Sequence, residues 1–340
     1  MKKFLRMIPL TCMMALSACA GVVDHAIIDT EKSTFEVGIL QIITHDALDA
    51  AQKGFVDAIK SSTLLSEKNV NFTIENAEGD ETSQASMAKS LVIKCDLLLG
   101  ISTGSSIALK NARDEAGKKQ PLLFTAVTDP VDAKLMKKMT NHDGSVTGTS
   151  DDNPVEAQID LIKKCFPNKE AKDIKLGILY TSSEPNSEVQ AKRAEKEAKK
   201  EGIGTVKKMT CNDSSDIKSV CNNLAHSVDV LYIPTDNNIA AHMDSVKSVT
   251  DEYHTLCIVG EENMLKNGGH ITYSVSYPLL GKRTGEMAAD ILSGNKLTEK
   301  IDAEKMVDDQ YLSKVFSSSN LAASGITLPS GLTDGFTDLG

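Results

Sequence analysis

The chain contains no tryptophan, and phenylalanine and tyrosine together make up only 4% of its 340 residues. Ring stacking can therefore be a minor resource at most, in the core or around a ligand. No apolar run outside the N-terminal leader reaches the roughly 20 residues that a membrane-spanning helix needs. Positive charge is also short: 37 Lys and Arg face 47 Asp and Glu, a net charge of −10. That balance argues against nucleic acid or an anionic membrane face as a partner. The seven cysteines show neither a disulfide framework nor a Cys-x-x-Cys pair, and no His-x-x-x-His occurs. No nucleophile can be matched to a base. The sequence therefore carries no expectation of a metal, a cofactor or a catalytic centre.

The N-terminus carries an export signal. Lys2, Lys3 and Arg6 precede a short apolar stretch, residues 7–16, which ends in Leu16-Ser17-Ala18-Cys19. This is the Leu-x-small-Cys pattern of a bacterial lipoprotein signal, in which the thiol takes a diacylglycerol before cleavage ahead of it. Residues 1–18 read as the signal peptide and 19–34 as a lipidated tether. The expected membrane attachment is through Cys19 only, on the extracytoplasmic side of a bacterial membrane, at the cell surface or in the periplasm. Of the remaining cysteines, Cys95 and Cys257 read as small core residues. A Cys211–Cys221 bridge is one possible pairing.

About 320 residues remain beyond the leader, enough for two lobes. Short apolar strands alternate with polar-faced helices, the pattern of parallel α/β architecture. In the first half, strands are read at 37–43, 70–76, 97–101 and 122–127, with helices at 47–60, 83–93 and 105–116. The second half repeats the plan: strands at 175–180, 205–209, 230–233 and 255–259, helices at 187–200, 216–225 and 239–252. Gly38-Ile39-Leu40 recurs as Gly177-Ile178-Leu179, and Asp96 and Pro121 open strands matched 133 residues later by Asp229 and His254. The fold class is two doubly wound parallel-sheet lobes, with the ligand site at the carboxyl ends of the strands. The residues there are unusually polar.

Those residues also carry a family resemblance. The runs HDALDAAQKGFVDAI, NAEGD, TAVTDPVDAKL, VTGTSDDNPVEAQIDLIK, YIPTDNNIA and GKRTGEMAADIL resemble ABC transporter substrate-binding lipoproteins of the tryptophan or tyrosine transport type. The likeness runs from about Phe35 to about Leu328. It implies a type I periplasmic-binding fold whose lobes are joined by a three-crossover hinge, near 147–151, 272–277 and 312–319. Lobe I would comprise 35–149 plus about 275–302. Lobe II would comprise about 150–274 plus about 303–328, with 329–340 a polar tail. The implied protein is a monomer that takes a small zwitterionic ligand, an α-amino acid with aromatic ones favoured, and docks on an ABC permease and its ATPase. A sensor for a chemoreceptor or kinase would use the same cleft, as would a sugar or nucleoside binder.

Candidate ligand contacts follow from position. Ser102, Thr103, Gly104 and Ser105 open a helix, where backbone N–H groups and hydroxyls can face a carboxylate; a plain N-cap is the compatible alternative. Asn186 and Ser187 hold the corresponding place in the second lobe. Asp236 is a candidate partner for an ammonium or, alternatively, a helix cap. Asp129 is either a cleft residue or an Asx-turn. Adjacent Glu261 and Glu262 point to opposite sides, so only Glu261 is taken into the mouth. Gln41, His45, Asp46, Thr128, Ser150, Asp151, Tyr180 and Tyr277 complete the set, the two tyrosines as possible stacking surfaces.

Overall fold

A computed structural model describes residues 26–140 and 144–340. The signal peptide and Cys19 lie outside the described residues. The first lobe is built from β1 (Thr34–Gln41), α1 (Asp46–Lys60), β2 (Asn69–Asn76), α2 (Glu81–Lys94), β3 (Leu97–Ile101), α3 (Thr103–Glu115), β4 (Leu122–Thr125) and β5 (Val146–Ser150). Wholly buried β3, read from an uninterrupted Leu-Leu-Leu-Gly-Ile, lies between β1 and β4, as expected of a parallel strand covered on both faces. Edge strand β2 alternates instead between exposed and half-buried residues over much of its length.

The second lobe starts with α4 (Val155–Cys165), then β6 (Lys175–Thr181), α5 (Pro185–Lys200), β7 (Thr205–Cys211), α6 (Ile217–Ala225), β8 (Val230–Ile233) and α7 (Asn237–Ala240). It continues with α8 (Met243–Tyr253), β9 (Leu256–Val259), α9 (Glu262–Lys266) and β10 (Ile271–Val275). The single helix read at 239–252 is thus two, broken at Ala241 and His242.

The repeated Gly-Ile-Leu has a structural cause in both lobes. A Cβ on Gly38 would lie 2.9 Å from Cys95 Sγ, and one on Gly177 would lie 2.7 Å from Leu224 Cγ. Each glycine lets a helix of its lobe, α2 or α6, settle onto that lobe's first strand.

After β10 the chain returns to lobe I as α10 (Tyr277–Leu292), which packs along α1. It then adds β11 (Glu304–Lys305) beside β5. The first sheet is ordered β11-β5-β4-β3-β1-β2. The chain next enters lobe II as β12 (Leu312–Phe316), antiparallel to β10, followed by α11 (Ser318–Ala323). Residues 304–305, expected in lobe II, therefore pair in the first sheet, and the third passage falls between Lys305 and Leu312. The expected polar tail is a structured segment: β13 (Thr337–Asp338) pairs with β12, while Leu332 and Phe336 pack on one lobe II core cluster and Leu339 on the other. Residues 26–33 of the expected tether lie on lobe I, where Ile27 N donates to Lys119 O and Ile28 joins the core edge. Among the described residues no helix is long and apolar enough to cross a membrane. Cys95, Cys165, Cys211, Cys221 and Cys257 are all buried free thiols.

Candidate functional site

The carboxyl ends of the two sheets face each other, and the residues there are polar yet buried. On the lobe I side, β1 ends at Gln41, whose Nε2 donates to Asp49 Oδ1 (2.7 Å) and Ile43 O (2.9 Å). Its Oε1 is buried without a partner. Ser102, between β3 and α3, sits at φ +93° and ψ 163°, a region that essentially only glycine occupies without strain. Its Oγ accepts from Ser105 N, so it caps α3. Thr103, the first residue of that helix, is 3% exposed and its Oγ1 has no partner. Gly104 leaves room for Ile42 Cδ1, which a Cβ would approach to 3.0 Å. Ala126, just past β4, is also at positive φ. Two strained positions thus stand at neighbouring strand ends on this wall.

On the lobe II side the acids are held by their own lobe. Asp236 Oδ2 accepts from Thr181 N (2.6 Å), and Oδ1 accepts from Thr181 Oγ1 (2.8 Å) and Ile239 N (2.9 Å). Asp236 therefore caps α7 and ties it to the end of β6. Asn186 Nδ2 and Ser187 Oγ both donate to Thr235 O, at 3.0 and 2.9 Å. Glu261 caps α9, accepting from Met264 N and Asn263 N at 2.6 Å each. Asp129 forms an Asx-turn with Val131 N and Asp132 N. Tyr180 packs against the lobe II core, and buried Phe124 belongs to the lobe I core.

The lobes touch across the cleft. Gln190 Nε2 of α5 donates to Thr128 Oγ1 (3.0 Å), His45 Nε2 lies 3.2 Å from Asn237 Oδ1, and Asn267 Nδ2 donates to Asp46 Oδ2 (3.2 Å). At the hinge Tyr277 OH donates to Asp151 Oδ2 (2.7 Å), and Thr128 Oγ1 donates to Asp151 Oδ1 (3.2 Å). Ser150 Oγ donates to Thr128 O (2.8 Å), and Val275 N donates to Asn153 Oδ1 (3.0 Å). Two chain passages are laced together at this point. Between the lobes lies a cavity of about 480 Å³, lined by Ile42, Ile43, Gln84 and Ile107 from lobe I and by Glu184 and Asn238 from lobe II, among others.

Four buried carboxyls dominate the electrostatics. Burial pushes Asp151 up to about 6 against the opposing hydrogen bonds of Tyr277 and Thr128. It pushes Glu261 up to about 7, and together with the neighbouring Asp236 it raises Glu184. Asp236 is raised by burial too. Among the described residues none of the four forms an ion pair with Lys, Arg or His. Glu184, Thr235 and Asn237 fall in post-strand segments that the sequence places at the mouth but carry no expected ligand contact, and Gln190 lies outside those segments. Their only signal was membership of, or one turn's distance from, the polar post-strand segments. Among the described residues no group of three or more His, Cys, Asp or Glu could hold a metal ion.

The sequence pattern of the ABC transporter substrate-binding proteins matches residues 36–333. A tyrosine-binding protein of Clostridioides difficile strain R20291 is 32% identical over 300 residues, covering 87% of this chain and 84% of the relative. A crystal structure from Streptococcus pneumoniae in complex with L-Trp is 30% identical, covers 90% of this chain and 99% of that one, and superposes with TM-score 0.81. A ligand-free, open substrate-binding protein from Clostridium difficile has the same coverage and 31% identity but TM-score 0.64. At matched coverage and near-equal identity, the chain superposes better on the L-Trp complex than on the open structure. The two sheets facing one another across three chain passages are a type I periplasmic-binding fold, and the chain belongs to the ABC transporter substrate-binding protein family.

Proposed function

We propose that this protein is the extracytoplasmic receptor of an ABC importer, anchored by lipid on Cys19, and that it encloses an aromatic α-amino acid between its lobes. The observation that carries the reading is the polarity of the cleft. On one side α3 begins with buried Thr103, whose hydroxyl has no partner, beside a capped helix start suited to a carboxylate. Asp151 in the hinge and Glu261 at the end of β9 are buried acids that no protein cation neutralises. A zwitterion answers both. We assign the ammonium to Asp151 and Glu261 in preference to Asp236, whose oxygens already accept three hydrogen bonds within lobe II. Aromatic specificity is supported by the tyrosine-binding and L-Trp-bound relatives.

The permease and ATPase follow from the family, and the loaded, closed form would be the species that docks. A thermal-shift titration tests the ligand class. L-tyrosine or L-tryptophan at 100 times Kd should add about 2.7 kcal/mol of stability. Decarboxylated and deaminated analogues should each lose most of that effect. Stabilisation by a sugar or nucleoside, with none by any amino acid, would overturn the reading.

A further inference from the structure

Glu184 follows β6 and belongs to none of the contacts expected for a ligand, yet it is 7% exposed and accepts four hydrogen bonds. Oε1 takes Asn238 N (2.8 Å). Oε2 takes Asn237 N (3.0 Å), Asn237 Nδ2 (2.6 Å) and Asn186 Nδ2 (3.3 Å). The bond from Asn237 Nδ2 fixes that side chain's orientation. Its nitrogen is committed to Glu184, so its oxygen must face His45 of the opposite lobe, 3.2 Å away. His45 then carries its proton on Nε2, and its Nδ1 is left without a partner.

We infer that Glu184 is a positioning residue for closure: by holding both the backbone and the side-chain amide of Asn237, it aims Asn237 Oδ1 at His45 and so latches lobe II to lobe I. The ligand arm of this inference rests on the amino-acid reading above; the ligand-free arm does not. Glutamine at 184 can accept from Asn238 N or from Asn237, but not from both, because one of its two terminal atoms is a donor. Asn237→Ala is a second variant, which removes the latch and keeps the backbone N–H on Glu184.

The test is a double-mutant cycle on Glu184→Gln and His45→Phe, two positions that do not touch each other. For L-tyrosine or L-tryptophan, each single variant should release ligand roughly three- to tenfold faster, the ratio expected for one lost hydrogen bond. The double variant should be no faster than the faster single one. In ligand-free protein, interlobe distance measured by fluorescence transfer should shift toward the open form by the same amount in Glu184→Gln, His45→Phe, Asn237→Ala and the double variant. If Glu184→Gln folds poorly, Glu184→Asp, which keeps the charge but shortens the reach to Asn237, takes its place in the cycle with His45→Phe. Multiplying off-rates, or an unchanged interlobe distance in His45→Phe and Asn237→Ala, would overturn the latch. Failure of both amino acids to bind would refute the proposed ligand while the ligand-free arm still judged the latch.

Discussion

Ser102 is the residue at which local rule and function part company. A serine before a helix is an ordinary cap, and that much could be read from its place after an apolar strand. Its φ of +93° could not, because the strain comes from the sheet and helix it joins. Ser102→Gly should therefore raise the melting point of the ligand-free protein by an amount worth about 1 kcal/mol, since strain relief outweighs the weaker cap. Ligand affinity should fall, because the helix start is no longer held rigidly. Asp236 was legible as either of two things, a cap or an ammonium partner. Its three own-lobe donors favour the cap. Asp236→Ala should cost about 2 kcal/mol in chemical denaturation, since it leaves Thr181 N–H unpaired and α7 uncapped. Tyr180 stands near a strand end, which is what marks it in the sequence as a stacking surface. Alternation along β6 decides its side, and it packs on the lobe II core.

The regular elements were the most legible layer, because buried parallel strands and amphipathic helices carry strong periodic signals. Residues 97–101 and 230–233 form strands with the bounds read from their apolar runs. The passages between lobes left weaker signals. β11, which pairs with β5, is two residues long and too short to show any period. The C-terminal segment was read as polar, although Leu332, Phe336 and Leu339 recur every three or four residues and supply its packing face. The close approach of α1 and α10 was hidden as well, and it depends on glycine. A Cβ on Gly281 would stand 1.8 Å from Ala51 O, and one on Gly54 would stand 2.4 Å from Pro278 O. Gly281→Ala should force the helices apart at a cost of about 1–3 kcal/mol. Calorimetry should show the loss in the lobe I transition, and an unchanged melting point would mean the helix pair is softer than its packing implies.

At the scale of the molecule, buried carboxyls stand at the hinge and at a lobe II strand end. Asp151 lies in the hinge between Thr128 of lobe I and Tyr277 at the start of α10, and Glu261 lies at the end of β9 in lobe II. Burial raises both above the usual carboxylate range, to about 6 and about 7. The folded, ligand-free protein therefore keeps protons that the unfolded chain releases from about pH 4 upward. With more protons bound in the native state, these groups make stability fall as pH rises from about 4 through 7. A ligand ammonium reverses the preference, because a positive charge beside either carboxyl favours its ionised form. Binding should then expel protons near pH 6, up to about one per ligand, and affinity should strengthen as pH rises through 6 to 7. Titration calorimetry in buffers of different ionisation enthalpy reads the proton count directly. Asp151→Asn and Glu261→Gln should each reduce the release, since an amide accepts a hydrogen bond but has no proton to give up over this range. A deaminated analogue brings no cation, so its binding should release none and should weaken as the acids ionise. Proton uptake on binding L-tyrosine or L-tryptophan would mean that the ammonium lies elsewhere in the cleft, away from these two acids.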